Sequence, residues 1–407
     1  MTPLRVGLIG LGVVASGLVE LLQRDAAALE SRTGRRVEVT GILVRDPHRP
    51  RALPVMTDPD RFLAGEYDVV VELAGGLAVG EVVAQLLRRG VDVVTANKAL
   101  LATRGPELAA IARWSGARIR FEASVAGAIP VIRTLQRGLA GSRIDRIEAI
   151  LNGTTNFILT RLERGAPYAD ALAEAQARGF AEADPRLDVE GGDAAHKLVL
   201  LASLAFGLPI DAARPEVTGI VGLTPEDLAA AGRFDHRVKL LAVAERTPAG
   251  ISLSVRPTLV PRGHPLAGVE DEYNAVVLFG EAFGDLLLYG KGAGALPTAA
   301  SVYADLIDLA TSQDHLDAVA EPVVGATNVR ARRWLVRTHV ADVPGALGRL
   351  TTAIGVADLS IDTLHADRAA GVDLIVGPAS EAALRAALPE ARILPFLDRP
   401  LTRTPGA

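Results

Sequence analysis

The N-terminal part of the chain alternates between two hydrophobic patterns. Apolar runs typical of buried strands are separated by segments with the period of an amphipathic helix, the clearest at about 79–89 and 105–115. The apolar runs cover residues 4–9, 37–44, 68–73, 91–95 and 118–121. This alternation predicts an α/β fold with a Rossmann-type, doubly wound parallel sheet.

The pattern changes after Pro130. It indicates helices at about 130–139, 155–164 and 167–178, and strands at 144–151, 251–259 and 274–281. We therefore expect a second, α+β domain with an antiparallel or mixed sheet. An alternating strand at 333–340 and a helix after Gly348 follow a linker near 320–331, which predicts a small C-terminal βα domain.

Composition limits the class of protein. Of 407 residues, 49% are hydrophobic, and 43 basic residues stand against 48 acidic ones, for a net charge of -5 without basic clusters. This excludes a disordered chain and gives no electrostatic basis for binding nucleic acid or a membrane surface, so small molecules are the expected partners. The apolar stretch 198–210 is interrupted by Ser203 and Gly207 and is shorter than the roughly 20 residues of a membrane span. With no signal-peptide pattern at the N-terminus, we expect a cytoplasmic protein.

Two residue types are scarce. Cysteine is absent, which excludes disulfides, thiolate metal sites and any reaction through a thioester or thiohemiacetal. Lysine occurs only at positions 98, 197, 239 and 291, while arginine is abundant. A bias toward arginine explains the scarcity but not which lysines remain, so each lysine is a candidate functional residue.

A glycine-rich turn follows the first strand. Gly10-Leu-Gly12-Val-Val-Ala15 lies between that strand and the first helix, where glycines allow a sharp turn and the approach of a pyrophosphate. The amides at the start of such a helix, here at Val13 and Val14, attract phosphate. This context favours dinucleotide binding at Gly10, Gly12, Val13 and Val14 over a structural turn.

The second strand ends at Arg45-Asp46, where the adenosine ribose lies in folds of this type. Arg45 offers a cation for a 2′-phosphate, which favours NADP over NAD. Asp46 beside it leaves NAD open as the alternative.

Two further strand ends carry polar loops, Glu72-Leu-Ala-Gly75-Gly76 and Thr95-Ala-Asn97-Lys98. Ligands bind at the carboxyl ends of strands in this architecture. Asn97 and Lys98 could simply begin a solvated helix, but the scarcity of lysine favours a functional Lys98.

The segment 179–197 is the most densely charged. Five carboxylates fall between Glu182 and Asp193, and Asp193 and Lys197 are four residues apart at the start of an apolar helix. Side chains at this spacing share one helix face. An exposed pair would contribute only a few tenths of a kcal/mol. The apolar surroundings instead place the pair at the edge of a core, where a lysine is suited to acid–base chemistry.

Two loops leave alternatives open. Leu151-Asn-Gly-Thr-Thr-Asn156 could cap a helix or hold a ligand, and the two interpretations have equal weight. The glycines that precede Pro297, Gly294 among them, allow close backbone approach either to a ligand or at a crossing between domains.

Taken together, these loops closely resemble the homoserine dehydrogenase family over about residues 4–315. The segments that carry the resemblance are Gly10-Leu-Gly12, 94–98, 121–130, 151–156 and 179–197, the last being the most specific. The resemblance implies hydride transfer between L-aspartate 4-semialdehyde and L-homoserine with a nicotinamide cofactor, in threonine, methionine and isoleucine biosynthesis. No kinase domain precedes the first strand, which suggests the monofunctional form.

The resemblance also implies residue roles. Lys197 would be the general acid and base, and Asp193 would hold its ammonium group. Lys98 would approach both cofactor and substrate, Glu182 would bind the substrate amino group, and Asp188 would support that pocket. Gly294 would contact the cofactor.

A monovalent cation, usually sodium, accompanies this family. It would be bound mainly by backbone carbonyls of Glu122, Val125, Gly127 and Ile129. The C-terminal Asp342-Val-Pro-Gly345-Ala-Leu-Gly348 resembles the opening of an ACT domain. The segment is shortened, so it would be either a site for an effector such as L-threonine or only a dimerisation element. A homodimer or homotetramer is expected.

The resemblance divides the chain into three domains. Residues 1–130, completed by about 290–320, would bind the dinucleotide. Residues 131–289 would form the substrate, catalytic and dimerisation domain, and residues 332–400 an ACT-like regulatory domain. Two alternatives remain: a catalytically idle sensor of NADPH or an amino acid, and another amino-acid dehydrogenase on the same scaffold.

Overall fold

Two compact units make up the structure. The computed structural model describes residues 3–48, 53–207, 215–248, 250–312, 331–367 and 371–397. The first unit comprises Met1–Gly153, Asp193–Arg214 and Tyr273–Gly325, and the second comprises Thr154–Gly192, Pro215–Glu272 and Ala326–Ala407.

A five-stranded parallel sheet begins the first unit, in the order β2-β1-β3-β4-β5. Its strands are β1 (Leu4–Ile9), β2 (Val37–Leu43), β3 (Val69–Glu72), β4 (Asp92–Thr95) and β5 (Ile119–Arg120). The helices of this region are α1 (Val13–Arg24), α2 (Ala26–Thr33), α3 (Pro59–Leu63), α4 (Gly80–Arg88) and α5 (Lys98–Ser115). The predicted Rossmann-type parallel sheet is confirmed.

The middle of the chain mixes helices and strands. The helices are α6 (Val131–Arg133), continued by a π-helical turn (Thr134–Gly138), α7 (Gly153–Glu163), α8 (Tyr168–Ala177), α9 (Arg186–Val189), α10 (Gly192–Phe206), α11 (Pro225–Arg233) and α12 (Ala295–Thr311). The strands are β6 (Arg146–Ile150), β7 (Glu216–Val217), β8 (His236–Thr247), β9 (Gly250–Pro261), β10 (Tyr273–Gly280) and β11 (Gly284–Lys291). Short 3-10 helices cover Glu122–Ser124 and Pro265–Gly268.

Strand pairing in this region is mainly antiparallel. In the first unit, β10 pairs antiparallel with both β6 and β11. In the second, β8 pairs antiparallel with β9, whereas β7 pairs parallel with β9. The prediction of an antiparallel or mixed sheet is confirmed.

The last part of the second unit is a small α/β fold. Its order is β12 (Arg332–Thr338), α13 (Ala346–Val356), β13 (Ile361–Asp367), β14 (Gly371–Ala379), α14 (Glu381–Ala387) and β15 (Arg392–Pro395). The sheet order β13-β14-β12-β15 is antiparallel throughout, the arrangement of a ferredoxin-like βαββαβ motif. Trp334, Val336 and Leu374 lie in its core. The expected small C-terminal domain is present, with three more strands and one more helix than the hydrophobic pattern revealed.

The two units have separate apolar cores. In the first, Leu8 and Val71 of the parallel sheet pack with Leu18 of α1 and Val302 of α12, and all four are buried. A glycine allows α1 and α12 to approach closely, because a Cβ on Gly17 would lie 3.0 Å from the carbonyl oxygen of Ala295. Helix α12 therefore completes the core of the N-terminal sheet although it is distant in sequence.

Some predicted boundaries were wrong. The helix expected at 105–115 begins at Lys98 and continues through Pro106. A proline has no amide donor, but surrounding contacts can maintain a helix through one missing hydrogen bond. Residues 289–291 end β11, so the glycine-rich segment before Pro297 begins at Gly292. Residues 208–210 of the apolar stretch, most of the linker at 320–331 and residues 398–400 lie outside the described residues.

Among the helices that are described, none is long and apolar enough to cross a membrane.

Candidate active site

The loops after β1 and β3 lie side by side at the carboxyl end of the parallel sheet. This is where the strand order reverses, since β2 lies on one side of β1 and β3 on the other. Gly10 has a φ of 90°, and a Cβ there would lie 2.8 Å from the backbone nitrogen of Ala74. The fold itself therefore requires glycine at position 10.

Gly12 lies in a different environment from Gly10. It is the N-cap of α1 with a φ of −93°, and a Cβ there would meet nothing within 4 Å in the described structure. The amides of Val13 and Val14 begin the helix, where no preceding turn supplies them with intrahelical acceptors. Val13 is 66% exposed. The open space over a helix N-terminus fits a phosphate group.

Arg45 lies at the same edge of the sheet. It follows β2, which pairs with β1, and its side chain is exposed and forms no ion pair within the described part of the chain. The carboxylate of Asp46 accepts a hydrogen bond from the backbone of His48 at 2.9 Å. Arg45 therefore presents an unpaired guanidinium just after β2, within the described part of the chain.

Side chains at the ends of β3 and β4 order the next two loops. Glu72 is fully buried, and its carboxylate accepts from the backbone amides of Ala74 and Gly75, both at 2.9 Å, and from the Thr95 hydroxyl at 2.6 Å. Asn97 caps α5 by accepting from the Leu100 amide, and its Nδ2 donates to the carbonyl of Gly76 at 2.7 Å. These bonds set the position of Lys98, the first residue of α5.

Asp193 joins both candidate lysines. Its Oδ1 lies 2.5 Å from the Nζ of Lys98, and its Oδ2 lies 2.7 Å from the Nζ of Lys197. The Nδ2 of Asn152 donates to the same Oδ2 at 3.0 Å, and the Nζ of Lys197 also donates to the carbonyl of Leu151 at 2.8 Å. The expected Asp193–Lys197 contact is present, and Lys98 joins it from another helix.

The charges in this cluster are unequally exposed. The side chain of Asp193 is 7% exposed, that of Lys197 12% and that of Lys98 30%. Burial by itself would raise the pKa of Asp193, but the ammonium groups of Lys197 and Lys98 outweigh it and hold that pKa well below its usual range. The carboxylate is therefore ionised, and it binds the ammonium groups of Lys98 and Lys197 at the N-terminal turn of α10.

Comparison with known proteins assigns the family. The model of the homoserine dehydrogenase family matches residues 130–307, and that of the homoserine dehydrogenase NAD-binding domain matches residues 10–122. A homoserine dehydrogenase from Pseudomonas aeruginosa is 42% identical over 92% of this chain and 91% of its own length. The chain belongs to the homoserine dehydrogenase family. It is therefore an oxidoreductase that uses a nicotinamide cofactor.

Solved structures of homoserine dehydrogenases agree in fold. One from Thiobacillus denitrificans matches with a TM-score of 0.86 and 38% identity, over 97% of this chain and 98% of its own. A hyperthermophilic archaeal homoserine dehydrogenase mutant in complex with NADPH matches with a TM-score of 0.66 and 26% identity, over 76% of this chain and 98% of its own.

The remaining candidates of the homoserine dehydrogenase motif, Glu182 and Asp188, belong to the second unit. Glu182 has an exposed side chain, and its carbonyl accepts from Gln176 at 3.1 Å. Asp188 is half-buried in α9. The hydroxyl of Thr154 donates to the carbonyl of Phe180 at 2.6 Å, which holds the start of α7 against this loop.

The loop predicted to bind a cation is buried and tightly turned. Ala126 and Gly127 have φ values of 56° and 55°, and Ala126 is fully buried. A non-glycine residue in this conformation is strained, and such strain is concentrated at functional sites. The carbonyls of Gly127 and Ile129 each accept one hydrogen bond, from the Ser301 hydroxyl and the Val131 amide, and retain a second lone pair.

Neighbours of this loop add polar groups. A Cβ on Gly127 would lie 2.5 Å from the backbone of Gly292, and one on Gly292 would lie 2.1 Å from the Cγ of Asn274. Asn274 is fully buried, and neither its Oδ1 nor its Nδ2 has a hydrogen-bond partner in the structure described. Glu122 is buried as well, and burial raises the pKa of its carboxyl, which accepts from the amides of Ile132 and Arg133. No cluster of His, Asp and Glu side chains suited to a metal ion occurs in the described ranges.

Two features of the site were not predicted. Asn152 belongs to a loop for which the sequence allows two interpretations, and in the structure its Nδ2 donates to the carboxylate of Asp193. The sequence assigns no role to Glu72, whose carboxylate joins the ends of β3 and β4. A buried carboxylate at the end of a parallel strand was the available signal for Glu72. Gly294 is the N-cap of α12 and has a φ of 115°, a conformation that favours glycine. Contact between Gly294 and the cofactor therefore stays a prediction, because the backbone conformation alone explains the glycine.

Substitution of the two turn glycines should have opposite consequences. Gly10→Ala should lower the free energy of unfolding by about 1–3 kcal/mol, because the methyl group meets the backbone of Ala74. Gly12→Ala should leave stability within about 0.5 kcal/mol and weaken binding of the nicotinamide nucleotide, because the methyl group fills open space. Urea unfolding and fluorescence titration with NADPH measure the two effects, and equal loss of nucleotide binding with no change in stability for both variants would contradict this assignment.

The lowered pKa of Asp193 predicts a pH-dependent stability. Because the pKa is lower in the folded state than its ordinary value of 3.8, the ionised carboxylate stabilises the protein above that value, and this contribution disappears as the pH falls through the lowered pKa. Asp193→Asn should therefore be less stable than the parent protein at neutral pH. The difference in their free energies of unfolding should become smaller toward about pH 3. Urea unfolding across this range tests it. Asp285→Asn, at an exposed aspartate on β11, is the control and should show no comparable gap.

Proposed function

We propose that Lys197 is the general acid that protonates the aldehyde oxygen of L-aspartate 4-semialdehyde, and the general base when L-homoserine is oxidised. The observation that carries this proposal is the hydrogen bonding of its ammonium group. Of three N–H donors, one points to Asp193 and one to the carbonyl of Leu151. One donor is left for a substrate oxygen.

Asp193 positions both lysines. Its carboxylate keeps the two ammonium groups together against their mutual repulsion, and Asn152 orients it. Lys98, the more exposed of the two lysines, binds the same oxygen of the substrate and the cofactor. When bound, the nicotinamide nucleotide supplies or accepts the hydride. Proton transfer and charge stabilisation then belong to the chain's own residues.

Glu182 and Asp188 are proposed to bind the substrate at its other end. The substrate carries an ammonium group, for which a carboxylate is the complementary partner. The exposed carboxylate of Glu182 is assigned to that group and Asp188 to the support of its loop. The hydrogen bond from Thr154 to Phe180 that holds this loop supports the assignment.

The nucleotide is proposed to lie over Gly10, Gly12, Val13 and Val14, with Gly294 at its far side and NADP preferred to NAD. Arg45 supports the preference, since a guanidinium without an ion-pair partner among the described residues suits a 2′-phosphate. The archaeal relative was solved in complex with NADPH, which agrees with it.

A monovalent cation, most simply sodium, is proposed for the loop of Glu122, Val125, Gly127 and Ile129. The left-handed turn at Ala126 and Gly127, the free lone pairs of the carbonyls and the unbonded carboxamide of Asn274 support it. The cation would order the loop without taking part in the reaction.

The larger organisation is proposed as follows. Residues 1–130 with 290–320 bind the nucleotide, 131–289 form the substrate and dimerisation domain, and 332–400 form an ACT-like domain that responds to an amino acid such as L-threonine. The enzyme acts in the cytoplasm as a homodimer or homotetramer, in threonine, methionine and isoleucine biosynthesis. The intact Lys98–Asp193–Lys197 cluster disfavours a catalytically idle sensor.

Replacement of Lys197 tests its role in proton transfer. Lys197→Ala should reduce turnover of L-homoserine by roughly 100-fold or more. Lys197→Arg keeps a cation beside Asp193 but cannot give up a proton at neutral pH, so it should be nearly as slow while still binding NADPH. Steady-state kinetics and nucleotide titration provide the two readouts. Arginine at near-parent turnover would assign Lys197 to charge binding alone.

Replacement of Arg45 tests the cofactor preference. Arg45→Ala should weaken NADP relative to NAD by about tenfold, because one charge-assisted contact to the 2′-phosphate is lost. Arg36→Ala, at the opposite end of the same strand, is the control and should change neither. The ratio of kcat/KM for the two cofactors is the measurement, and equal losses for both would remove Arg45 from the ribose pocket.

A further inference from the structure

Lys239 is a buried lysine that the proposed reaction does not use. It lies on β8 in the second unit and is 1% exposed. Its Nζ donates to the carbonyl of Val269 at 2.5 Å and to the Oδ1 of Asn156 at 3.4 Å. A buried ammonium group is costly unless it is hydrogen-bonded, so the second unit needs both acceptors around this side chain.

The carboxylates around Lys239 are bound by arginines instead. The ion pairs are Arg237–Glu163, Arg237–Glu270 and Arg161–Asp271, at 2.9, 2.7 and 2.8 Å. These carboxylates and Arg237 are the charged groups that act on the Lys239 ammonium, and within the described residues Lys239 itself forms no ion pair. Its contacts are therefore hydrogen bonds to uncharged acceptors, which fix the direction as well as the distance between two groups.

The two acceptors of Lys239 belong to one hydrogen-bonded cluster. The Nδ2 of Asn156 donates to the carbonyls of Val269 and Asp271, at 3.2 and 2.9 Å, and the amide of Asp271 donates to the hydroxyl of Thr160 at 3.0 Å. Asp271 has a φ of 52°, a conformation that a non-glycine residue keeps only when its surroundings maintain it. Lys239 therefore fastens α7 to the loop that precedes β10.

The first turn of α7 also contacts residues 179–191, which we call the substrate loop. The hydroxyl of Thr154 donates to the carbonyl of Phe180 at 2.6 Å and lies 3.4 Å from the Oδ2 of Asp188. The rings of Phe157 and Phe180 meet edge to face, with their centroids 5.1 Å apart. Thr154 and Phe157 belong to the same helical turn as the side-chain acceptor of Lys239, so a shift of this turn moves the contacts with the loop.

We propose that Lys239 is a positioning residue of the substrate site. Through Asn156 it fixes the first turn of α7, and that turn fixes the substrate loop. Lys239 does not touch the substrate. The inference rests on the proposed function, in which Glu182 and Asp188 of this loop bind the ammonium end of the substrate. Loss of the lysine should therefore weaken substrate binding and leave nucleotide binding and proton transfer nearly intact.

Steady-state kinetics of Lys239→Met test this role, because methionine fills a similar apolar volume but has no donor. The KM for L-homoserine should rise about tenfold or more, since a hydrogen bond to a charged group contributes about that factor. The kcat should stay within about threefold and the KM for the nucleotide should not change. A merely structural lysine would instead lower the amount of folded enzyme, and so kcat, without raising the KM for L-homoserine.

Leu240→Ala is the matched control for loosening of β8. Leu240 is buried and directly follows Lys239, so its side chain lies on the opposite face of the strand. This variant should be less stable in urea while its KM for L-homoserine stays at the parent value. An equal rise of this KM in both variants would overturn the proposal. If methionine prevents folding, Lys239→Gln provides the same comparison, because its shorter side chain cannot reach both acceptors.

Hydrogen exchange tests the positioning without turnover. Amides at 179–191 should exchange faster in Lys239→Met than in the parent protein and in Leu240→Ala. Unchanged exchange in the substrate loop would overturn the inference even if the enzyme is active. Faster exchange with an unchanged KM for L-homoserine would support the positioning of the loop and refute only the substrate role proposed for it, so the two failures are distinguishable.

Discussion

The buried carboxylate of Asp193 is the constraint on which the active site depends. An ionised carboxylate that is 7% exposed is costly unless it is paired and hydrogen-bonded. Three segments must therefore meet there: the start of α5 with Lys98, the start of α10 with Lys197, and the residues after β6 with Asn152. The Asn97 cap fixes the start of α5, and β6 leads into Asn152. The position of Lys197, the proposed proton donor, therefore follows from the packing of the first unit.

Different physical demands explain residues that look alike in the sequence. Gly10 serves the fold, because its backbone is left-handed and lies against Ala74, whereas Gly12 leaves space open over a helix N-terminus. Lysines divide in the same way. Lys98 and Lys197 share a carboxylate, whereas Lys239 is buried in the second unit, where its Nζ donates to the carbonyl of Val269 and burial lowers its pKa to about 8.

Elements could be predicted from the sequence where their hydrophobic pattern differed clearly from that of the neighbouring segments. Strands β1 to β5 were found because continuous apolar runs between helices are distinctive. Strand β8 was missed because its central apolar run is flanked by charges in no regular alternation. Helix α5 begins at Lys98, before the predicted start at about residue 105, and the shared core of α1 and α12 had no local signature. The i,i+4 spacing placed Lys197 beside Asp193, but nothing local indicated that Asn152 would join them.

The sequence by itself determined the family, the order of strands and helices in the N-terminal domain, and the chemistry excluded by the lack of cysteine. These follow from short-range patterns, in which a few neighbouring residues are enough to indicate a strand, a helix or a turn. Only the tertiary structure decided that Lys98 shares Asp193, that the Ala126 turn lies against Gly292 beside Asn274, and that Lys239 donates to Asn156. Each of these contacts joins residues far apart in the chain, and a distance between such residues is set by packing.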